Sequence, residues 1–88
     1  MFSKELFGER VSEIRKQHGE TQKKLGNAIG MSSNNVSEME GGKKTTTSEK
    51  IAKICRHYHV SADYLLGLSD DMRGGADRWT EEDEPQKK

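Results

Sequence analysis

Residues Thr21 to Gly42, TQKKLGNAIGMSSNNVSEMEGG, constrain this chain more than any other stretch. Two short apolar patterns at helical spacing flank one glycine. Leu25 and Ile29 lie four apart in the first, and Val36 and Met39 lie three apart in the second. Spacings of three and four place side chains on one face of a helix. Gly30 follows Ile29, where a helix that ends on a left-handed residue takes glycine. Ser32 is placed to cap a second helix by accepting from its unpaired N–H groups. Gly26 lacks a side chain that would hold that helix at a distance. The pattern predicts two helices packed across a tight glycine turn.

The second of these helices is asymmetric. Stepping about 100° per residue brings Val36 and Met39 together on one side. Ser33, Asn34, Ser37 and Glu38 fall on the other. Solvated helix surfaces carry Lys, Arg, Glu or Ala more often, because Ser and Asn are poor helix formers. An outward face of short groups that donate and accept hydrogen bonds, presented after a tight turn, is the pattern of a helix-turn-helix, whose second helix enters the major groove of DNA.

The 88 residues suffice for one domain, and 30% hydrophobic against 34% charged residues allow a small core with much wet surface. No segment alternates in strand fashion, so the expected class is all-α. A single cysteine, Cys55, excludes an internal disulfide framework and suits a reducing cytoplasm. No apolar run approaches a membrane span or signal peptide. These features predict a soluble, cytoplasmic protein. The formal net charge is zero, but it divides unevenly: residues 1–68 carry +3 and residues 69–88 carry −3. A mildly basic domain with an acidic tail permits nucleic-acid binding without demanding it.

A first helix, capped by Ser3, runs to about His18 with Leu6, Phe7, Val11 and Ile14 as its apolar stripe. Lys4, Arg10, Arg15 and Lys16 lie off that stripe among glutamates and read as a charged solvent face. Thr21 caps the second helix. Gln22, Lys23 and Lys24 lie in its first turn, where free N–H groups favour phosphate. After the helix bearing Ser33, the loop Glu40 to Thr47 brings Lys43, Lys44 and three hydroxyls, groups that contact phosphate oxygens. Thr46 or Thr47 then caps a fourth helix over Ser48–Tyr58, with Cys55 as a small core residue. Ser61 caps a fifth, short helix. Tyr64, Leu65 and Leu68 make it richer in apolar surface than a terminal helix buries alone, so they are the candidate homodimer contacts.

His57 and His59 are two apart and point to different sides of a helix, and no second cysteine or carboxylate cluster completes a coordination shell. No metal, cofactor or catalytic constellation is expected, and enzymatic activity is the least supported class. Residues 69–88 form an acidic, flexible tail that reads as dispensable for folding. Trp79 stands out there: it is either a lone exposed aromatic or docks on the domain or on another subunit. An acidic tail also competes for a basic face.

Taken in order, the motifs resemble the phage-repressor group of helix-turn-helix proteins, the lambda repressor and Cro-like or XRE family. The resemblance covers roughly Phe7 to Leu68. It rests on GERVSEIR at Gly8–Arg15, Thr21-Gln22, Gly30, Ser32 to Glu40, the exit Glu40-Gly41-Gly42-Lys43 and VSADYLLGL at Val60–Leu68. It implies a five-helix bundle forming one DNA-binding domain over residues 1–68, a homodimer on near-palindromic double-stranded DNA, and transcriptional control, most often repression. It assigns base contact to Ser33, Asn34, Ser37 and Glu38, and phosphate contact to Gln22, Asn35 and Lys43. Four positions depart from the family pattern. Glu20 replaces an apolar residue, a change expected to loosen the first two helices, and Gly26 replaces an alanine at a cost of about 1 kcal/mol in helix propensity. Thr46 replaces a proline and His59 a glycine. The usual arginine near the start of the recognition helix is also absent. The alternative reading is an antitoxin or partner-binding module that autoregulates its operon and engages a second protein through the tail.

Overall fold

Hydroxyl residues start every helix of the bundle. The computed structural model describes residues 2–73. It has five helices, α1 (Lys4–Gln17), α2 (Gln22–Ile29), α3 (Ser33–Glu40), α4 (Ser48–Tyr58) and α5 (Ala62–Leu65). Ser3, Thr21, Ser32, Thr47 and Ser61 are the respective N-caps, each accepting from a backbone N–H two or three residues on. Such a cap contributes about 0.5–2 kcal/mol, which matters most for α2 and α3, too short to persist alone. The all-α expectation and all five helices are observed, and the cap of α4 is Thr47.

The helix-turn-helix closes as the spacing requires. Gly30 adopts a left-handed φ of 80°, and both its N–H and that of Met31 donate to the Gly26 carbonyl at 2.8 Å. A Cβ at Gly26 would overlap the Met31 carbonyl, so the position that costs helix propensity is also where the turn presses against α2. Gly8 plays the same part on α1, where a Cβ would overlap the carbonyls of Met39 and Glu40 at the end of α3. The recognition helix therefore lies hard against both α1 and α2. His59 ends α4 in the left-handed region, φ 57°, without glycine's freedom.

Phe7, Val11 and Ile14 meet Leu25, Ile29, Val36 and Met39, all with no exposed surface. Ile54, Cys55, Tyr58, Val60, Tyr64 and Leu65 close the core from the other side. Burial pushes the Cys55 thiol up to about 11, fitting its core position.

Two expectations need correction here. Leu65 is fully buried and Tyr64 is 7% exposed, so both belong to the monomer's own core. Of the three candidate dimer contacts only Leu68, 73% exposed, reaches the surface. A glutamate at position 65 would enter the core and unfold the chain. The end of the fold also lies beyond Leu68. Arg10 donates to the Tyr64 carbonyl at 2.6 Å, the Ser69 carbonyl at 2.8 Å and Asp70 at 2.9 Å, with its guanidinium 4.0 Å above the Tyr64 ring. Ser61 N–H donates to the Met72 carbonyl at 2.9 Å, and Met72 packs on the core. Arg10 is thus a clasp and not part of a free solvent face. Trp79 and the acidic run after it lie outside the described residues.

Truncation after Leu68 removes two acceptors of Arg10 and the partner of a buried N–H. That chain should be about 1–3 kcal/mol less stable in a denaturant melt than a chain truncated after Arg73.

Candidate nucleic-acid interface

Three polar residues continue the apolar rows that build the core, and together they aim the recognition helix. Arg15 follows Phe7 and Val11 at intervals of four, Glu40 follows Val36 at the same interval, and Gln22 precedes Leu25 and Gly26 by three and four. Arg15 Nε donates to Glu40 Oε2 at 2.7 Å, and its Nη2 donates to Oε1 at 3.0 Å. Its Nη1 donates to the Glu20 carbonyl at 2.6 Å, and Gln22 Nε2 donates to Glu40 Oε1 at 3.1 Å. The two charged side chains are only 10% and 5% exposed. The hydrogen bonds to Glu40 raise the Arg15 pKa above its ordinary value, so the guanidinium keeps its charge despite burial. One buried carboxylate at the end of α3 is therefore gripped from α1 and α2 together. Arg15 was expected on a solvent face; the structure buries it.

A second polar junction ties the link between α1 and α2 to α4. Tyr58 Oη donates to Glu20 Oε1 at 2.9 Å, and His57 Nε2 lies 3.0 and 3.2 Å from the two carboxylate oxygens. Burial pushes Glu20 up, but the hydrogen bonds from His57 and Tyr58 outweigh it and hold the carboxyl below its ordinary value. The polar residue expected to loosen α1 against α2 instead fastens their link to α4.

With α3 held in this way, its outer face is presented to solvent. Ser33, Asn34, Asn35 and Ser37 are exposed and Glu38 is half-exposed. Glu38 forms a 3.0 Å ion pair with Lys44, which also reaches Asn35 Oδ1 at 3.5 Å. Lys44 leans along the recognition helix and neutralises the one carboxylate on its face. Lys23 and Lys24 sit exposed at the start of α2, and Lys43 lies just past α3; none of the three forms a salt bridge among the described residues. Gln22 is half-buried and turned toward Glu40, so one of its amide hydrogens is already committed. The geometry brings together an amide- and hydroxyl-bearing helix face with Lys44 lying along it and Lys43 just past its end, while Lys23 and Lys24 are exposed at the start of α2. Direct base readout and phosphate positioning use these two kinds of group. No metal-ligand cluster occurs among the described residues, and none of their helices is long and apolar enough to cross a membrane.

A helix-turn-helix family model matches residues 11–65, the span from the middle of α1 to the end of α5. The chain belongs to the helix-turn-helix family. Among its relatives are an uncharacterized HTH-type transcriptional regulator, YobD, and the HTH-type transcriptional regulator ImmR, both of Bacillus subtilis. YobD is 33% identical over 66 residues, which is 75% of this chain and 59% of that protein. ImmR is 35% identical over 64 residues, 73% of this chain and 50% of its own length. The chain thus spans between half and three fifths of the length of these relatives. The antitoxin PezA of Streptococcus pneumoniae is 31% identical over 62 residues, 70% of this chain and 39% of that one. Among solved structures, the P22 c2 repressor in complex with a synthetic operator superposes with a TM-score of 0.69 at 30% identity, covering 73% of this chain and 97% of the repressor. The clp gene regulator ClgR of Corynebacterium glutamicum superposes with a TM-score of 0.66 at 28% identity, covering 77% and 88%.

Removing one partner of the buried pair leaves the other charge stranded. Glu40→Ala should cost about 3–5 kcal/mol in chemical unfolding, while Arg15→Met combined with Glu40→Leu should cost far less than the sum of the single changes. The Glu20 junction has a pH signature. Its native pKa is depressed, so its contribution is complete above the unfolded-state value and is lost as pH falls through the native one. Between about pH 6 and pH 3 the thermal midpoint of the parent should fall more steeply than that of Glu20→Gln.

Proposed function

We propose that this chain is a sequence-specific DNA-binding transcriptional regulator, acting as a dimeric repressor of phage or mobile-element type on near-palindromic DNA. The observation that carries the reading is the outer face of α3, four short polar side chains on a helix whose inner face and C-terminus are locked to α1 and α2. In this reading Asn34 and Ser37 approach base edges, with Ser33 at the groove entrance. Glu38, already paired with Lys44, presents only acceptor oxygens and so favours a base donor such as the cytosine N4 amino group. Gln22, Lys23 and the N–H groups of α2 meet the phosphates on one side, and Asn35, Lys43 and Lys44 those on the other. The likeness to the P22 c2 repressor in complex with a synthetic operator, and to the Bacillus relatives named as transcriptional regulators, supports this class of activity. Leu68, with Phe2 the other large exposed apolar side chain among the described residues, is the candidate dimer contact.

The PezA relative favours a second reading, an antitoxin that controls its own operon and engages a partner protein through the acidic tail. Co-purification of a small protein encoded by the adjacent gene would favour it.

Mutations separate reading from positioning. Asparagine makes its best paired contact with adenine N6 and N7. Asn34→Ala should therefore cost about 1–3 kcal/mol on the preferred duplex and relax preference at one base pair per half-site. Lys43→Ala should weaken every duplex about equally and lower the salt slope by roughly one counterion per contact. Equal loss on all duplexes for Asn34→Ala would remove α3 from the reading role.

A further inference from the structure

The last described residues lie within reach of an open groove that none of the described segments fills. One wall is α2, with Thr21, Lys23, Lys24, Asn27 and Ala28, and the other is His57 on the last turn of α4; the volume is about 490 Å³. Its lining mixes an exposed methyl group and an imidazole with two lysines that form no salt bridge among the described residues. An aromatic ring flanked by carboxylates is the complementary ligand, because the ring covers the apolar surface and the acids meet the cations.

That chemistry is present in the same chain. Asp77-Arg78-Trp79-Thr80-Glu81-Glu82 follows the last described residues and contains the sole tryptophan. The exit point lies near the groove. The hydrogen bond from Ser61 N–H to the Met72 carbonyl fixes Met72 against the start of α5, and Ser61 is four residues from His57. At about 3.3–3.6 Å per residue, His57 and Ser61 are at most about 14 Å apart, while the seven residues from Met72 to Trp79 span up to about 25 Å. The segment is long enough to reach the groove with no helix displaced, and a tether of this length corresponds to a millimolar effective concentration there.

We propose that Trp79 of the same chain docks in the α2–α4 groove, with Glu81 and Glu82 against Lys23 and Lys24. Docking covers the start of α2. If that helix end is the phosphate contact assigned under the proposed function, the acidic segment and the DNA backbone exclude one another, and each weakens the other by the same factor. The competition rests on that functional reading; the docking does not.

The sole tryptophan reports the docking directly in the full chain without DNA. Its emission should be blue-shifted relative to N-acetyltryptophanamide in the same buffer and independent of protein concentration. Ala28→Glu, at an exposed position, should return it to the red with helical circular dichroism unchanged, and Lys23→Glu with Lys24→Glu should do the same. Emission equal to the free amide, or unmoved by both changes, overturns the proposal, and a blue shift that grows with concentration replaces it with docking onto a second copy. For the competition, Glu81→Gln with Glu82→Gln in the full chain should bind a random duplex roughly three- to tenfold tighter at low salt, with the difference lost at high salt. Unchanged DNA affinity with the fluorescence as expected overturns the competition and the α2 phosphate contact, and leaves the docking in place.

Discussion

The buried Arg15–Glu40 pair is the contact on which the geometry of this protein depends. Charges this far from water cost several kcal/mol each to desolvate, and only close pairing supported by further hydrogen bonds offsets that cost. Here the guanidinium places two N–H groups on the carboxylate and a third on the Glu20 carbonyl, and Gln22 supplies the carboxylate with a further donor. No buried polar side-chain atom among the described residues is left without a partner. Because an apolar substitute would stabilise about as well, the pair contributes chiefly alignment. It fixes the rotation and end of α3 against α1 and α2, which a set of interchangeable aliphatic contacts would define less sharply. The Gly8 and Gly26 contacts complete this, holding backbone against backbone at both ends of the recognition helix.

A rigid mount suits the chemistry of the face it carries. Under the proposed function, Ser33, Asn34 and Ser37 are short enough to reach only base edges that the helix backbone is brought close to, and an error of about 1 Å in its placement would carry them out of hydrogen-bond range. The net charge of the domain is modest, which limits non-specific attraction to DNA and shifts the burden of affinity to shape and directed hydrogen bonds. The Glu38–Lys44 pair acts in the same direction, removing an isolated negative charge from the approach to the duplex.

The helices were legible in the sequence because their signals are local: a hydroxyl before each start, Gly30 at the turn and apolar spacing of three and four. The exposed face of α3 followed from the same periodicity. The misreadings share one cause. Arg15 was assigned to solvent by its charge, although it continues the row Phe7, Val11 at the next interval of four. By composition Glu40 opens a polar exit loop, although it continues Val36 in the same way. A polar residue that extends an apolar row is a candidate for buried pairing, and two such residues on different helices are candidates for each other. Arg10, Ser69, Asp70 and Met72 carried no such cue, because their partners are backbone carbonyls and N–H groups distant in sequence. Leu65 and Leu68 could not be told apart by composition either; only the packing of the short α5 buries the first and exposes the second.

The central claim is that α3, held by this buried network, reads base sequence as half of a symmetric pair. The most direct measurement is selection of random double-stranded DNA by the purified full chain at physiological salt, followed by sequencing of the bound pool. The expected result is an enriched inverted repeat whose half-sites lie about 10 base pairs apart, or a multiple of that spacing, so that both recognition helices meet the same face of the duplex. A bound pool with the base composition and pattern of the starting library would contradict it.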